Sequence, residues 1–388
     1  MTLLIIAALC GALEVWILLM AGRRVVQVQD FHALPPQQLE RYPSASIVIP
    51  ACNEEATIAP ALEQLGAQDY PDLELIVVND RSSDETGALI DQAAARDPRI
   101  KAVHNDTLPS GWLGKVHALK LGQDASASEW ILFTDADVHL APQALKSAIA
   151  YAEHRGLDHL AVCPDLAGRS ALANACVANF HLIMMVLVSP AKVRDPNRPD
   201  GVGVGAFNLV RRSCLEASEG FDWLRLEVAD DFALGAVLKA AGGRCELVFG
   251  TQLAEVEWYP SVAAMIAGFE KNAYGALGHY RPWLALLKLM ASVIPIALPL
   301  VALPWTSSSP WGWTAALAPL LASWLVGALL ARRMRWPYTR YLVAPFTLPI
   351  LWFALVNGLI KSWQRGGIAW RGTLYATADL RAAQRIKL

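Results

Sequence analysis

The chain has 388 residues, 54% of them hydrophobic and only 18% charged, with a mean hydropathy of +0.32. A soluble globular protein carries about 25% charged residues, so membrane segments must be mixed with a soluble domain. The formal net charge of -2 gives no sign of a nucleic-acid partner. The six scattered cysteines form no CxxC pair, which argues against a disulfide framework or a zinc site.

In chain order, LLIIAALCGALEVWILLM (3–20) is about long enough to span a bilayer. Arg23 and Arg24 follow it, and no basic residue precedes it. Residues 1–22 therefore read as a retained anchor, with the N-terminus outside and the chain from Arg23 in the cytoplasm. Glu14 within the span reads as a helix-packing or interfacial residue rather than a functional one.

Residues 44–260 alternate short β-rich runs with amphipathic stretches. SIVIP (46–50), LELIVVND (73–80) and WILFTDAD (130–137) each end in polar residues. Between them lie the helical patterns 54–68 and 82–96, the second opening on an S-x-x-E capping box at Ser82 and Glu85. The expected fold class is α/β, a mostly parallel sheet with helices on both faces. Ligands bind at the carboxyl ends of such strands, so Asn53, Asp80, Asp135 and Asp137 are expected to converge on one edge.

Asp135 and Asp137 point the same way if the backbone between them is extended. Two such carboxylates suit Mg2+ or Mn2+ completed by substrate phosphates, although a lone D-x-D is also a common surface turn. Thr134 is placed to orient one of them. Asp80 is either a turn residue or an acceptor for a nucleoside, and PACNEE (50–55) offers a polar elbow beside it. No GxGxxG or GxxxxGK[ST] pattern lies near these strands, which disfavours dinucleotide and P-loop readings. GWLGK (111–115) sets Lys115 at a predicted helix start, where it is either a surface lysine or a diphosphate ligand. LEVADDFALG (226–235) places Asp230 and Asp231 before another helix, one of them a candidate N-cap. The glycines of GVGVGAFNLVRR (201–212), Gly205 among them, let backbone approach a substrate closely.

After residue 284 three further apolar stretches follow, at 284–305, 313–331 and 341–360, preceded by an interfacial helical region (261–283). The basic RRMRWPYTR (332–340) reads as cytoplasmic. Pro345 and Pro349 make the last stretch a candidate for a re-entrant segment, which keeps the basic tail 361–388 in the cytoplasm.

In this order the motifs SIVIPACNEE, LIVVNDRSSDET, GWLGK, FTDADV, GAFNLVRR and DDFALG resemble the family 2 inverting glycosyltransferases of the GT-A fold, over roughly residues 44–275. The flanking apolar segments and WRGTLY (370–375) are similar to the subgroup containing ceramide glucosyltransferase and bacterial hopanoid- and carotenoid-linked enzymes. The resemblance implies a multi-pass protein of the inner membrane that moves sugar from a nucleoside diphosphate, such as a UDP-sugar, to a lipid-like acceptor. It implies Asp80 at the base or ribose, with Pro50, Ala51 and Glu54 around the base. Lys115 would lie near the phosphates, Asp135 at the ribose, sugar and metal, and Asp137 at the metal. Gly205 and Asp230 would line the substrate, and Asp231 would be the catalytic base. The Q/R-x-x-R-W motif of processive and ceramide-type enzymes is not recognisable, and Lys271 in GFEKNAYG stands as its cationic replacement. A nucleotidyltransferase and a non-catalytic sugar-nucleotide-binding scaffold are the competing readings.

Overall fold

In the computed structural model, which describes residues 1–34 and 37–386, the alternating pattern becomes a mixed eight-stranded sheet. Its strands are β1 (Gln29–Asp30), β2 (Ala45–Ala51), β3 (Leu73–Asp80), β4 (Ile100–Asn105) and β5 (Trp130–Phe133). After the short β6 (His139–Leu140) come β7 (His159–Cys163), β8 (Asn208–Arg211) and β9 (Cys245–Phe249). The spatial order is β1-β9-β7-β8-β5-β2-β3-β4. Neighbours are parallel, except that β8 runs against both β5 and β7. β6 pairs outside this sheet with β10 (Ala254–Glu255).

The long apolar runs are explained by burial on both faces. Ile47 and Ile49 of β2 join Leu75 and Val77 of β3 in one core, while Val48, Ile76 and Val78 face a second core. Successive side chains of a strand point to opposite faces, so a doubly covered strand has no polar side. Helix Gly114–Ala125 closes on the second core because Gly122 lacks a side chain; a Cβ there would stand 2.2 Å from Val48.

Two local expectations are overturned. The capping box does not form: the helix begins at Thr86 and Glu85 makes no side-chain cap. Asp84 accepts the Thr86 N–H instead, and Ser82 Oγ is drawn to the neighbouring loop, accepting the Asn53 N–H at 3.0 Å. The third strand also stops short, at Phe133. Asp135 begins a turn, its carbonyl accepting the Val138 N–H at 3.3 Å, so Asp135 and Asp137 do not share an extended backbone.

Four helical stretches, Thr2–Gln27, Pro282–Thr306, Pro310–Met334 and Tyr338–Arg365, are long and apolar enough to cross a membrane. The last breaks where its prolines fall, as helix Tyr338–Val343, a 3-10 turn Ala344–Thr347 and helix Leu348–Arg365. Helices Thr2–Gln27 and Pro310–Met334 meet closely at Gly11, where a Cβ would lie 2.5 Å from the Ala315 carbonyl oxygen. Arg24 donates to the carbonyls of Met185 and Val186 at the end of helix Ala171–Leu187. Helix Val262–Gly278 lies along Leu348–Arg365, and its Glu270 pairs with Lys361 and Arg365. The chain then folds back as a hairpin of β11 (Gly367–Trp370) and β12 (Thr373–Ala376).

One buried group links β7 to β8. His159 Nε2 donates to Asn208 Oδ1 at 2.5 Å, and burial pushes the imidazole pKa down to about 4. A histidine whose folded pKa lies below its unfolded value contributes stability that is fully present above about 6.5 and is lost as pH falls towards 4. The melting temperature is expected to drop across that window. A His159→Gln variant, scanned over the same pH range, should lack that component; an identical pH slope would refute the assignment.

Candidate active site

The carboxyl ends of β2 and β3 form one wall. Asn53 and Arg81, just beyond them, both take positive φ (55° and 56°). Asn53 Oδ1 accepts the Ser83 N–H at 2.8 Å, and the Glu54 N–H donates to Thr86 Oγ1 at 2.7 Å, stitching the two loops together. Pro50 and Ala51 close β2 against Val78 and Asn79. Asp80 is buried, and its oxygens are engaged. The Arg81 guanidinium donates to both at 2.9 Å, and Asn105 Nδ2 adds a bond of 2.8 Å. The expected nucleoside acceptor is therefore covered by its own neighbour in a bidentate pair.

The centre is built around Lys115, the second residue of helix Gly114–Ala125. Its Nζ lies 2.5 Å from Asp135 Oδ1 and 3.7 Å from Asp230 Oδ2. Asp230 and Asp231 occupy the first turn of helix Asp230–Ala240, whose N-cap is Ala229, so neither acid is the cap. Asp231 Oδ2 accepts the Gly205 N–H at 2.9 Å. A Cβ on Gly205 would stand 3.2 Å from Asp231 Oδ2 and 3.4 Å from Asp135 Oδ2. Gly205 thus marks a point between the two carboxylates. Thr134 orients neither carboxylate; its Oγ1 donates to the Ala206 carbonyl at 2.8 Å, tying the β5 end to the glycine loop.

The glycine run has two uses. Gly205 faces the site, whereas Gly201 and Gly203 press on the Asp230 helix. A Cβ at Gly203 would lie 2.1 Å from the Asp231 carbonyl oxygen, and one at Gly235 would lie 2.3 Å from the Val202 carbonyl carbon. Backbone meets backbone there, and Asn208 Nδ2 adds a 3.3 Å bond to the Asp231 carbonyl.

Charge is crowded at this edge. Burial raises the pKa of Asp230; Lys115 opposes the shift, while Asp231 and Asp135 add to it. Burial also works against the Lys115 charge, but Asp135 and then Asp230 outweigh it and hold the ammonium above the ordinary lysine range. Desolvation and then the Asp135 charge raise Asp137. Lys271 is lowered by burial and then by Lys115, and its ammonium rests 4.3 Å from the Trp370 ring centroid. Asp230, Asp135 and Asp231 act in the opposite direction on it, although among the described residues Lys271 forms no ion pair with them within 4 Å.

Among the described residues no group of three or more His, Cys, Asp or Glu side chains forms a closed metal cage. The donor set at the β5 turn fits a different arrangement. Two hard carboxylates whose charges disfavour one another suit a Mg2+ or Mn2+ ion whose shell is completed by phosphate oxygens and water.

Arg81, Asn105, Asn208, Arg371 and Tyr375 were not singled out by sequence reasoning. Asn105 lies in no motif; Arg81, Asn208, Arg371 and Tyr375 lie within LIVVNDRSSDET, GAFNLVRR and WRGTLY, but no local pattern reveals which partners their side chains reach.

A sheet of this order, with acids and a lysine gathered at its carboxyl edge, defines the GT-A class of glycosyltransferase fold. Residues 46–217 match the family model described as glycosyl transferase family 2. The 4,4'-diaponeurosporenoate glycosyltransferase of Staphylococcus haemolyticus is 26% identical over 208 residues, a match covering 53% of this chain and 52% of that protein. The chain thus spans about half the length of that relative. The Staphylococcus aureus protein of the same name is 23% identical over 355 residues, covering 89% of this chain and 92% of the relative. A mannosyltransferase from Pyrobaculum calidifontis, solved with GDP-Man and Mn2+, shares the fold with a TM-score of 0.57. It has 19% identity and covers 92% of this chain and 98% of that one.

The backbone contact at Gly235 generates a prediction. Gly235→Ala forces a methyl group against Val202, an overpacking that costs about 1–3 kcal/mol. It is expected to lower the melting temperature, and an unchanged melting curve would contradict the close approach.

Proposed function

We propose that the protein is a membrane-bound glycosyltransferase that moves a sugar from a nucleoside-diphosphate sugar to an acceptor hydroxyl by a single inverting displacement. The observation that carries this reading is the placement of Asp231 and Asp135 on either side of Gly205, beside Lys115. Asp231 is the general base: its carboxylate takes the acceptor proton as the hydroxyl oxygen bonds to the anomeric carbon. The bond from that carbon to the diphosphate oxygen breaks in the same step, and its electron pair leaves with the diphosphate. Lys115 supplies fixed positive charge where that negative charge collects, in a pocket that limits reorganisation. Asp135 and Asp137 would hold a divalent cation, which when bound supplies Lewis-acid stabilisation of the leaving diphosphate. Gly205 leaves room for the substrate between the two acids.

The acceptor is read as a lipid or lipid-like molecule. The apolar helices and the carotenoid glycosyltransferases among the relatives both support that reading. The hairpin β11–β12 lies against the catalytic domain: Tyr375 reaches Gly114, and Arg371 reaches Glu54. These contacts support a tail on the same side as the sheet, with the Pro-broken segment Tyr338–Arg365 returning without crossing. The basic Arg23, Arg24 and RRMR support reading that side as the cytoplasmic face of the inner membrane.

Three measurements test this reading. Asp231→Asn should lower transfer by about 10²–10⁴-fold, the usual worth of a general base, while donor binding stays near wild type; wild-type turnover would remove Asp231 as the base. Asp137→Ala should abolish the gain in nucleotide affinity on adding Mn2+, and a retained gain would exclude a metal role for that residue. A reporter joined after Leu388 should read as cytoplasmic; a signal from the opposite side would mean that the last segment crosses.

A further inference from the structure

The hairpin β11–β12 touches three parts of the site that are far apart in sequence. Arg371, at its tip with φ of 47°, donates Nη1 to the Cys52 carbonyl at 2.8 Å and Nη2 to Glu54 Oε1 at 2.6 Å. The Tyr375 hydroxyl accepts the N–H of Gly114, the residue before Lys115, at 3.2 Å. Trp370 lies under the Lys271 ammonium. The anchors are the end of β2, the head of the Lys115 helix and helix Val262–Gly278, which together border the donor site.

We infer that this hairpin is a clasp over the nucleoside-diphosphate end of the site, with Arg371 and Tyr375 as positioning residues for the donor. The inference rests on the glycosyl-transfer reading above. Arg371 fixes the Cys52–Glu54 wall, and Tyr375 fixes the first amide of the helix that carries Lys115. Gly114 itself packs against that wall, since a Cβ there would lie 2.4 Å from Arg81 Nη2 and 2.7 Å from Asp80 Oδ2, which puts the tyrosine on the Asp80 side of the site.

The division of apolar and polar contacts fits a part that opens. Ile368, at the base of the hairpin, is buried in the second core, so the base is fixed. Tyr375, opposite Ile368 in the hairpin register, packs on the same core, whereas the tip is held by the Arg371 hydrogen bonds and the Lys271–Trp370 contact. The Arg371 side chain is about half exposed, at 48%. Exposed ion pairs are worth little, and an isolated two-stranded hairpin is marginal in water. The tip can therefore release and reclose at small cost while the base holds. A nucleotide seated beneath it adds contacts to the closed form alone, and so favours closure.

The test uses the full-length protein in lipid nanodiscs, with UDP and GDP as probes in the presence of Mn2+. Affinity and nucleotide release rate are measured for the wild type, Arg371→Ala, Arg371→Lys and Tyr375→Phe. Arg371→Ala and Tyr375→Phe are each expected to weaken the better-bound nucleotide about tenfold and to speed its release, with donor KM raised and kcat within about twofold. Arg371→Lys should recover part of the loss. A merely structural hairpin would lower kcat and the melting temperature and leave KM and release unchanged, which overturns the clasp. Hydrogen exchange on the wild type is an independent measure. Nucleotide should slow exchange of the 367–376 amides, and no slowing overturns the clasp even if the variants fail to fold. If the wild-type protein binds neither UDP nor GDP, the donor reading itself fails, and the clasp falls with it.

Discussion

Four aspartates, Asp135, Asp137, Asp230 and Asp231, crowded about Lys115 are the constraint on which this site depends. Like charges this close cannot all be kept without a cation, because removing a carboxylate from water costs several kcal/mol. Lys115 answers Asp135 at 2.5 Å and Asp230 at 3.7 Å, yet Asp137 has no ion-pair partner within 4 Å among the described residues. The imbalance is local and negative, at the place where a diphosphate and its metal would enter together. The architecture follows from it. β5 ends early to turn its acids outward, the Lys115 helix starts on a glycine, and a reversed β8 brings a glycine loop to an edge otherwise made of strand ends.

The membrane part belongs to the same plan. Helix Val262–Gly278 carries Lys271 towards the acids and Glu270 towards Lys361 and Arg365 of the last apolar helix. One helix thus joins the long apolar segments to the acid-rich sheet edge, and the hairpin that follows returns to the Cys52–Glu54 loop beyond β2. A lipid acceptor held at the bilayer surface would meet the sheet edge without leaving its own phase.

Much of the fold was legible in the sequence, because burial on both sheet faces writes itself as unbroken apolar runs. LELIVVND became β3 residue for residue. Asp80, Asp135 and Asp137 were singled out by their place at the ends of apolar runs and Asp230 and Asp231 by theirs at a helix start, and the ordered motifs suggested their roles. Tertiary competition was not legible. Ser82 caps no helix because a neighbouring loop claims its hydroxyl, and Asp80 is covered because Arg81 turns back at positive φ. Asp135 and Asp137 sit in a turn, which two-residue spacing alone cannot distinguish from a strand. The reach of Arg371 to Glu54, 317 positions away, lies beyond any local pattern.

The bare contact between the glycine run and the Asp230 helix has a consequence for motion. Gly203 and Asp231 already sit at the limit set by atomic radii, with no side chain between them to compress or rotate. Fluctuations at that joint are therefore one-sided: the helix can swing outward but not further in. The inward travel of the Asp231 backbone towards the glycine run is thus set by a hard stop rather than by a compressible side chain.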